Sequence, residues 1–160
     1  MAEGSCCMSL GEERQFLGGK VRRISLAVIQ GKPEGEAPPV KRLLLPQGEL
    51  AQFHSSSEGM RYVAYAELRA GAVRGNHYHK FKQEWIYIIS GRLSLLLKDI
   101  ESGLSDTLTL AGGDLAFIPT GVAHALHVQE SGHAIEFSPS AFDPADSFPC
   151  DLDSSRVSGQ

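Results

Sequence analysis

This chain of 160 residues has little cysteine, no long apolar run, no basic stripe and no extended helical period, and each shortage closes a class of function. The cysteines are Cys6, Cys7 and Cys150, an odd number placed near the two ends. They do not read as a disulfide framework. The adjacent pair Cys6 and Cys7 has no second ligand type nearby, so no metal or redox site is expected there. A reduced, cytoplasmic protein is the simplest reading. No apolar stretch approaches the roughly 18 residues of a spanning helix, so no membrane partner is expected. The opening MAEGSCCMSLGEERQ does not show the basic start and apolar core of a secretory signal. Lysine and arginine number 15 against 19 acids, for a net charge of −4. With the signs mixed along the chain, no nucleic-acid surface is expected.

What is present is a series of short β-forming segments separated by Gly- and Pro-rich turns. Residues 21–29 (VRRISLAVI), 40–45, 49–53 and 60–68 (MRYVAYAEL) have strand character. EWIYII (84–89) and RLSLLLK (92–98) read as a hairpin across Ser90 and Gly91. DTLTL (106–110), LAFIP (115–119), HALHV (124–128) and HAIEF (133–137) follow, the last two divided by QESG. The pattern predicts an all-β sandwich or barrel. In EWIYII both alternating faces are largely apolar, whereas a sheet with one wet face alternates with polar residues. The outer face is therefore expected to be covered by the N-terminal segments or by a second subunit. The organisation expected is a flexible arm over 1–20, one domain over 21–145 and a polar tail over 146–160.

The chemistry concentrates in GAVRGNHYHKFKQEWIYIISG, residues 71–91. Residues i and i+2 of a strand point to one face, so His77 and His79 can aim two imidazoles at one point. Glu84 follows after a short turn, and His124 arrives in a second block, GDLAFIPTGVAH. Imidazole suits Zn, Cu, Fe and Ni, while the carboxylate keeps Fe and Mn in range. Four protein donors leave positions open on an octahedral ion for water, substrate or dioxygen.

These two blocks resemble the motifs of the cupin superfamily. The first family motif is Gly, five residues, His-x-His, three or four residues, Glu, six residues, Gly. Gly71, His77, His79, Glu84 and Gly91 match it. The second is Gly, five residues, Pro-x-Gly, two residues, His, three residues, Asn. Gly113, Pro119, Gly121 and His124 match, and Val128 replaces the final Asn. The resemblance implies a double-stranded β-helix, the cupin jelly-roll barrel. It also implies that His77, His79, Glu84 and His124 hold one divalent transition metal (Zn, Fe, Ni or Mn) inside it. A narrower resemblance links RGNHYHKFKQEWIYIISG and the later IEFSPSAFDPADSFP to the cupin domain of bacterial capsular-sugar reductase/epimerases. With no reductase segment in the sequence, the role implied is epimerisation or isomerisation of a sugar or sugar nucleotide. The alternatives are a non-haem Fe dioxygenase, which oxygen-dependent turnover would identify, and a non-catalytic, metal-assisted small-ligand binder. A homodimer is expected from the two-sided apolar strand and from the resemblance.

Other residues have plainer expectations. Lys80 and Lys82 read as solvated turn residues, and Arg74 as equally a phosphate or carboxylate holder or a solvated one. Tyr65 and Glu67 share a face, with Tyr65 expected to pack and Glu67 to lie on a rim. His54, His127 and His133 read as loop or outer-face residues, Glu136 as an edge charge, and Trp85 and Tyr87 as core or dimer contacts. No acid–base catalyst is assigned.

Overall fold

Twelve strands run through the residues that the structure, a computed structural model, describes, 11–152. They are β1 (Glu12–Phe16), β2 (Val21–Ser25), β3 (Val28–Gln30), β4 (Lys41–Leu45), β5 (Gly48–Gln52), β6 (Tyr62–Leu68), β7 (Val73–Tyr78), β8 (Glu84–Asp99), β9 (Ser105–Ala111), β10 (Asp114–Ile118), β11 (Val122–Ser138) and β12 (Phe148–Pro149). No helix among the described residues is long and apolar enough to cross a membrane.

The long strands β8 and β11 organise the barrel. They pair antiparallel along almost their whole length, from Val122 opposite Asp99 to Phe137 opposite Trp85. The first half of β8 pairs with β10, and the second half of β11 pairs with β6. The remaining halves pair with β9 and β7. Each long strand thus serves two sheets, which fold over one core as a jelly roll. The core is aliphatic: Leu68, Ile86, Ile88, Leu93, Leu95, Leu97, Leu110 and Ile118 are almost fully enclosed.

Two expected turns are bends instead. Ser90-Gly91 does not close a hairpin, and QESG does not end a strand, because both segments remain paired. The glycines are needed for close approach. A Cβ on Gly132 would lie 2.0 Å from the Ser90 carbonyl oxygen, and one on Gly91 would lie 2.7 Å from that of Glu130. Gly91 also has φ of +90°, a conformation that only glycine adopts freely. Register shifts at the bend turn the strands from one sheet into the other. The inward positions of β8 change parity there, from Ile86 and Ile88 to Leu93, Leu95 and Leu97.

The outer face of β8 is covered by the chain itself. Trp85 and Tyr87 pack with Leu26, Val40, Phe53, Met60 and Phe137, and Phe53 stacks on Tyr87 with ring centroids 4.6 Å apart. The segment carrying the small sheet β3–β4–β5 supplies this cover, so the two-sided apolar strand does not call for a second subunit. The segments expected to be loose also join the fold where they are described. Glu12–Phe16 pairs with β2, and Leu17 is buried in the core. At the other end Phe148 pairs with Tyr78, and Cys150 and Leu152 pack over Leu96, Ala123 and Ala125. The pair Cys6 and Cys7 lies outside the described residues.

Candidate metal centre

The first ligand strand owes its shape to the run Arg74-Gly75-Asn76-His77. Gly75 and Asn76 have φ of +86° and +60°, the left-handed region in which Gly and Asn are the tolerated residues. A Cβ on Gly75 would come within 2.7 Å of the His124 carbonyl oxygen. The register shifts here, so that His77 faces His124 while Gly75 faces Ala125. Asn76 is the extra residue. Its carbonyl accepts from the Cys150 N–H at 2.8 Å, and its Oδ1 accepts from the Leu152 N–H at 3.1 Å. This bulge brings His77 and His124 onto one inner face.

His77, His79, Glu84 and His124 are the four residues the motifs single out, and the fold brings all four together. Their donor atoms lie within 4.8 Å of one another. His124 Nε2 is 2.9 Å from Glu84 Oε2, and His79 Nε2 is 3.5 Å from Glu84 Oε1. His79 donates from Nδ1 to the Asp146 carbonyl, and His124 donates from Nδ1 to the Val122 carbonyl at 3.2 Å. Each bond leaves the Nε2 lone pair facing the cluster, as outer-shell bonds do for metal-binding imidazoles. His79 Nε2 is buried with no hydrogen-bond partner. An orphaned imidazole nitrogen inside a ring of donors is what a divalent ion would satisfy. The residues therefore fit such an ion.

Electrostatics favour a neutral donor at His77 and an anionic one at Glu84, and hold a proton more tightly at His79. Burial, then the neighbouring His124 and His79, push His77 down from 6.5 to about 4. It is neutral, and able to donate its lone pair, throughout the neutral range. For His79 burial opposes the proton, but the Glu84 carboxylate and the Asp146 carbonyl outweigh it and raise the pKa. Burial would raise Glu84, yet contacts with His124 and His79 prevail and hold it well below the carboxylate range. Between about pH 4 and 6.5 the unfolded chain binds a proton at His77 that the folded chain refuses. The stability due to neutral His77 is complete above 6.5 and lost as pH falls toward 4. The contribution of His79 has the opposite sign, present below 6.5 and lost as pH rises through its raised value. In the metal-free protein, an NMR titration should find His77 neutral down to about pH 4. A His77 midpoint at 6.5 would contradict this environment.

The donors open on a cavity of about 500 Å³, whose wall includes Tyr62, Arg74, Lys82, Glu136 and Phe142. Two plain expectations fail here. Lys82 is not solvated: it is buried, with Nζ 2.6 Å from Glu84 Oε1 and 4.2 Å from the Tyr62 ring centre. Glu136 is not an edge charge. It lines the cavity, and burial, reinforced by the negative charge of Glu84, raises its pKa. Lys80 stays exposed, with Nζ 4.2 Å over the Phe148 ring. On β6 the parity puts Val63, Tyr65 and Glu67 outside and exposed, so Tyr62 is the tyrosine that reaches the site. His133 stands on that same outer face, bonded to the Tyr65 hydroxyl at 2.6 Å. Val128, in place of the motif Asn, faces the core with Leu126.

Asp146 had no signal in the sequence. It is nearly fully buried, and its carboxylate accepts from the N–H groups of Lys80 (2.7 Å), Phe81 (3.2 Å) and Lys82 (2.9 Å). These bonds outweigh burial and keep its pKa low. One residue thus pins the turn between His79 and Glu84 and orients His79 through its own carbonyl. Asp146→Ala is expected to lower stability by about 1–3 kcal/mol, since it strands charge-assisted donors. Urea denaturation of the metal-free protein measures this. A loss below roughly 0.5 kcal/mol, the level of an ordinary surface change, would contradict it.

Comparison with known proteins agrees with this geometry. The family model described as "Cupin domain" matches residues 64–137. Oxalate decarboxylase OxdC of Bacillus subtilis (strain 168) is 37% identical over 65 residues, which are 41% of this chain and 16% of that protein. The chain thus corresponds to a small part of that relative's length. The structure of dTDP-4-dehydrorhamnose 3,5-epimerase from Sulfolobus tokodaii superposes with a TM-score of 0.69 at 19% identity, over 94% of this chain and 86% of that one. The capsular polysaccharide assembling protein CapF from Staphylococcus aureus superposes with a TM-score of 0.54 at 19% identity, over 72% of this chain and 34% of that one. At such identities the superpositions establish the fold. Residues 64–137 are, by that match, a cupin domain.

Proposed function

We propose that the protein is a metal-dependent epimerase or isomerase of a small oxygenated substrate, by class a nucleoside-diphosphate keto-sugar. The observation that carries this reading is that the four donors line an open cavity and are not sealed in a closed shell. Structural zinc sites are closed, whereas catalytic sites keep positions free. A divalent ion bound by His77, His79, Glu84 and His124 would supply Lewis-acid polarisation of a carbonyl oxygen. The chain's own residues do the rest. Arg74, exposed at the cavity wall, suits an anionic group such as a phosphate. Lys82 places a second positive charge beside Glu84, where negative charge developing on a carbonyl oxygen would be stabilised. The structural neighbour that acts on a dTDP-linked sugar supports this substrate class.

A second reading, breakdown of a small carboxylate, is favoured by the sequence match to oxalate decarboxylase. Incubating the metal-loaded protein with a TDP-4-keto-6-deoxy sugar in D₂O, followed by proton NMR, tests the first reading. Deuterium wash-in or a new stereoisomer is expected. An inert sugar together with CO₂ release from oxalate would overturn the first reading in favour of the second.

A further inference from the structure

The cavity wall carries one carboxyl group that the metal cluster does not use. Glu136 lies on the inner side of β11, opposite Ile86 of β8 and Ala64 of β6. That places it one inward position along from Glu84, on the adjacent strand. Glu84 is fully engaged by His79, Lys82 and His124. Glu136 has charged neighbours but, among the described residues, no hydrogen-bond partner in the protein. A polar group in such a position is directed at whatever occupies the cavity.

The other polar groups on this wall are poorer bases. Lys82 Nζ is held by Glu84 at 2.6 Å. Arg74 offers N–H donors and no acceptor atom. His79 and His124 turn their free nitrogens into the donor cluster, and His77 shares it. Tyr62, diagonal to Glu136 across the β6–β11 pair, is a phenol and stays protonated near neutrality.

We infer that Glu136 is the catalytic residue that removes and returns the substrate proton, an assignment that rests on the keto-sugar reading above. The Glu136 carboxylate takes the proton from the carbon beside the substrate carbonyl. The C–H electron pair becomes the C=C bond of an enolate, and the carbonyl π pair moves onto oxygen, which faces Lys82 and the donor cluster. Return of the proton from Glu136 to the same face gives exchange with retention, and delivery of a proton from water to the opposite face inverts the centre while Glu136 releases its own proton to water. Either reverses the electron flow, so no oxidant or reductant is consumed. In D₂O the carboxyl proton exchanges before return, and deuterium enters the substrate at that carbon.

The test is deuterium wash-in to a TDP-4-keto-6-deoxy sugar by metal-loaded wild-type protein and by Glu136→Gln. Metal content and sugar-nucleotide affinity are measured alongside by elemental analysis and calorimetry. Exchange by the wild type, with at least a 100-fold slower rate in Glu136→Gln and metal content and affinity within threefold, is the expected result. Equal rates in the two proteins would overturn the role of Glu136 and leave the keto-sugar reading standing. No exchange by the wild type would overturn that reading and the assignment with it. If Glu136→Gln does not fold by circular dichroism, Glu136→Asp carries the test. It should exchange at least tenfold more slowly at unchanged affinity, and a wild-type rate would overturn the assignment.

Discussion

Glu84→Ala is expected to abolish stoichiometric metal binding and to destabilise the metal-free protein by about 3–5 kcal/mol, the range for breaking a buried ion pair. The first effect follows because Glu84 is the only anionic donor among the four. The second follows from Lys82. Its Nζ is held at 2.6 Å by Glu84, both side chains are about 7% exposed, and removal of the carboxylate leaves a buried ammonium without a counter-charge. Glu84→Ala combined with Lys82→Met separates the effects, because it removes the stranded charge without restoring the ligand. The double variant should recover most of the lost stability and none of the metal. Elemental analysis and urea denaturation measure the two quantities. A double variant no more stable than Glu84→Ala alone would contradict the role given to the ion pair.

Gly132→Ala should be at least as damaging, through packing alone. The added Cβ would lie 2.0 Å from the Ser90 carbonyl oxygen, 2.4 Å from its carbon and 2.6 Å from the Gly91 nitrogen. All three are backbone atoms, so no side-chain rotation relieves the overlap. The bend where β8 and β11 cross from one sheet to the other would have to open, and both sheets depend on it. A loss above roughly 4 kcal/mol, in the exceptional tail for single substitutions, is expected. Gly59→Ala is the matched control. Gly59 has nothing within 4 Å of a new Cβ, and its substitution should change stability by less than about 0.5 kcal/mol. Thermal melting compares the two. Equal melting temperatures would show that the long strands do not rely on close approach at Gly132.

The fold class and the convergence of His77, His79, Glu84 and His124 were legible because each has a local signature. Period-two alternation marks β6 through β11 as strands, and the spacing of His77, His79 and Glu84 survives in any register that keeps the first two on one face. What could not be read depends on pairing across the chain. Whether Tyr62 or Tyr65 faces the cavity turns on the register of β6 against β11, where Ala66 meets Ala134. A shift of one residue would exchange them. Glu136 moved from edge to cavity for the same reason. Glycines at 91 and 132 look like turn residues, and only their mutual approach shows that they bend continuous strands. Asp146 stands in a polar stretch resembling a tail, and the amides it holds are more than sixty positions away. Lys82 looked solvated because its partner, Glu84, was read only as a ligand.

His77, His79, Glu84 and His124 are proposed to hold one transition metal. Elemental analysis of protein purified without chelator and without an affinity-tag metal tests it most directly, beside a His77→Ala/His79→Ala variant with a matching circular dichroism spectrum. About one ion of a single transition metal per wild-type chain, lost in the variant, is the result predicted from a ring of four donors. Wild-type protein without metal that also takes up none from added Zn, Fe, Ni or Mn would contradict it, as would equal metal content in the two proteins.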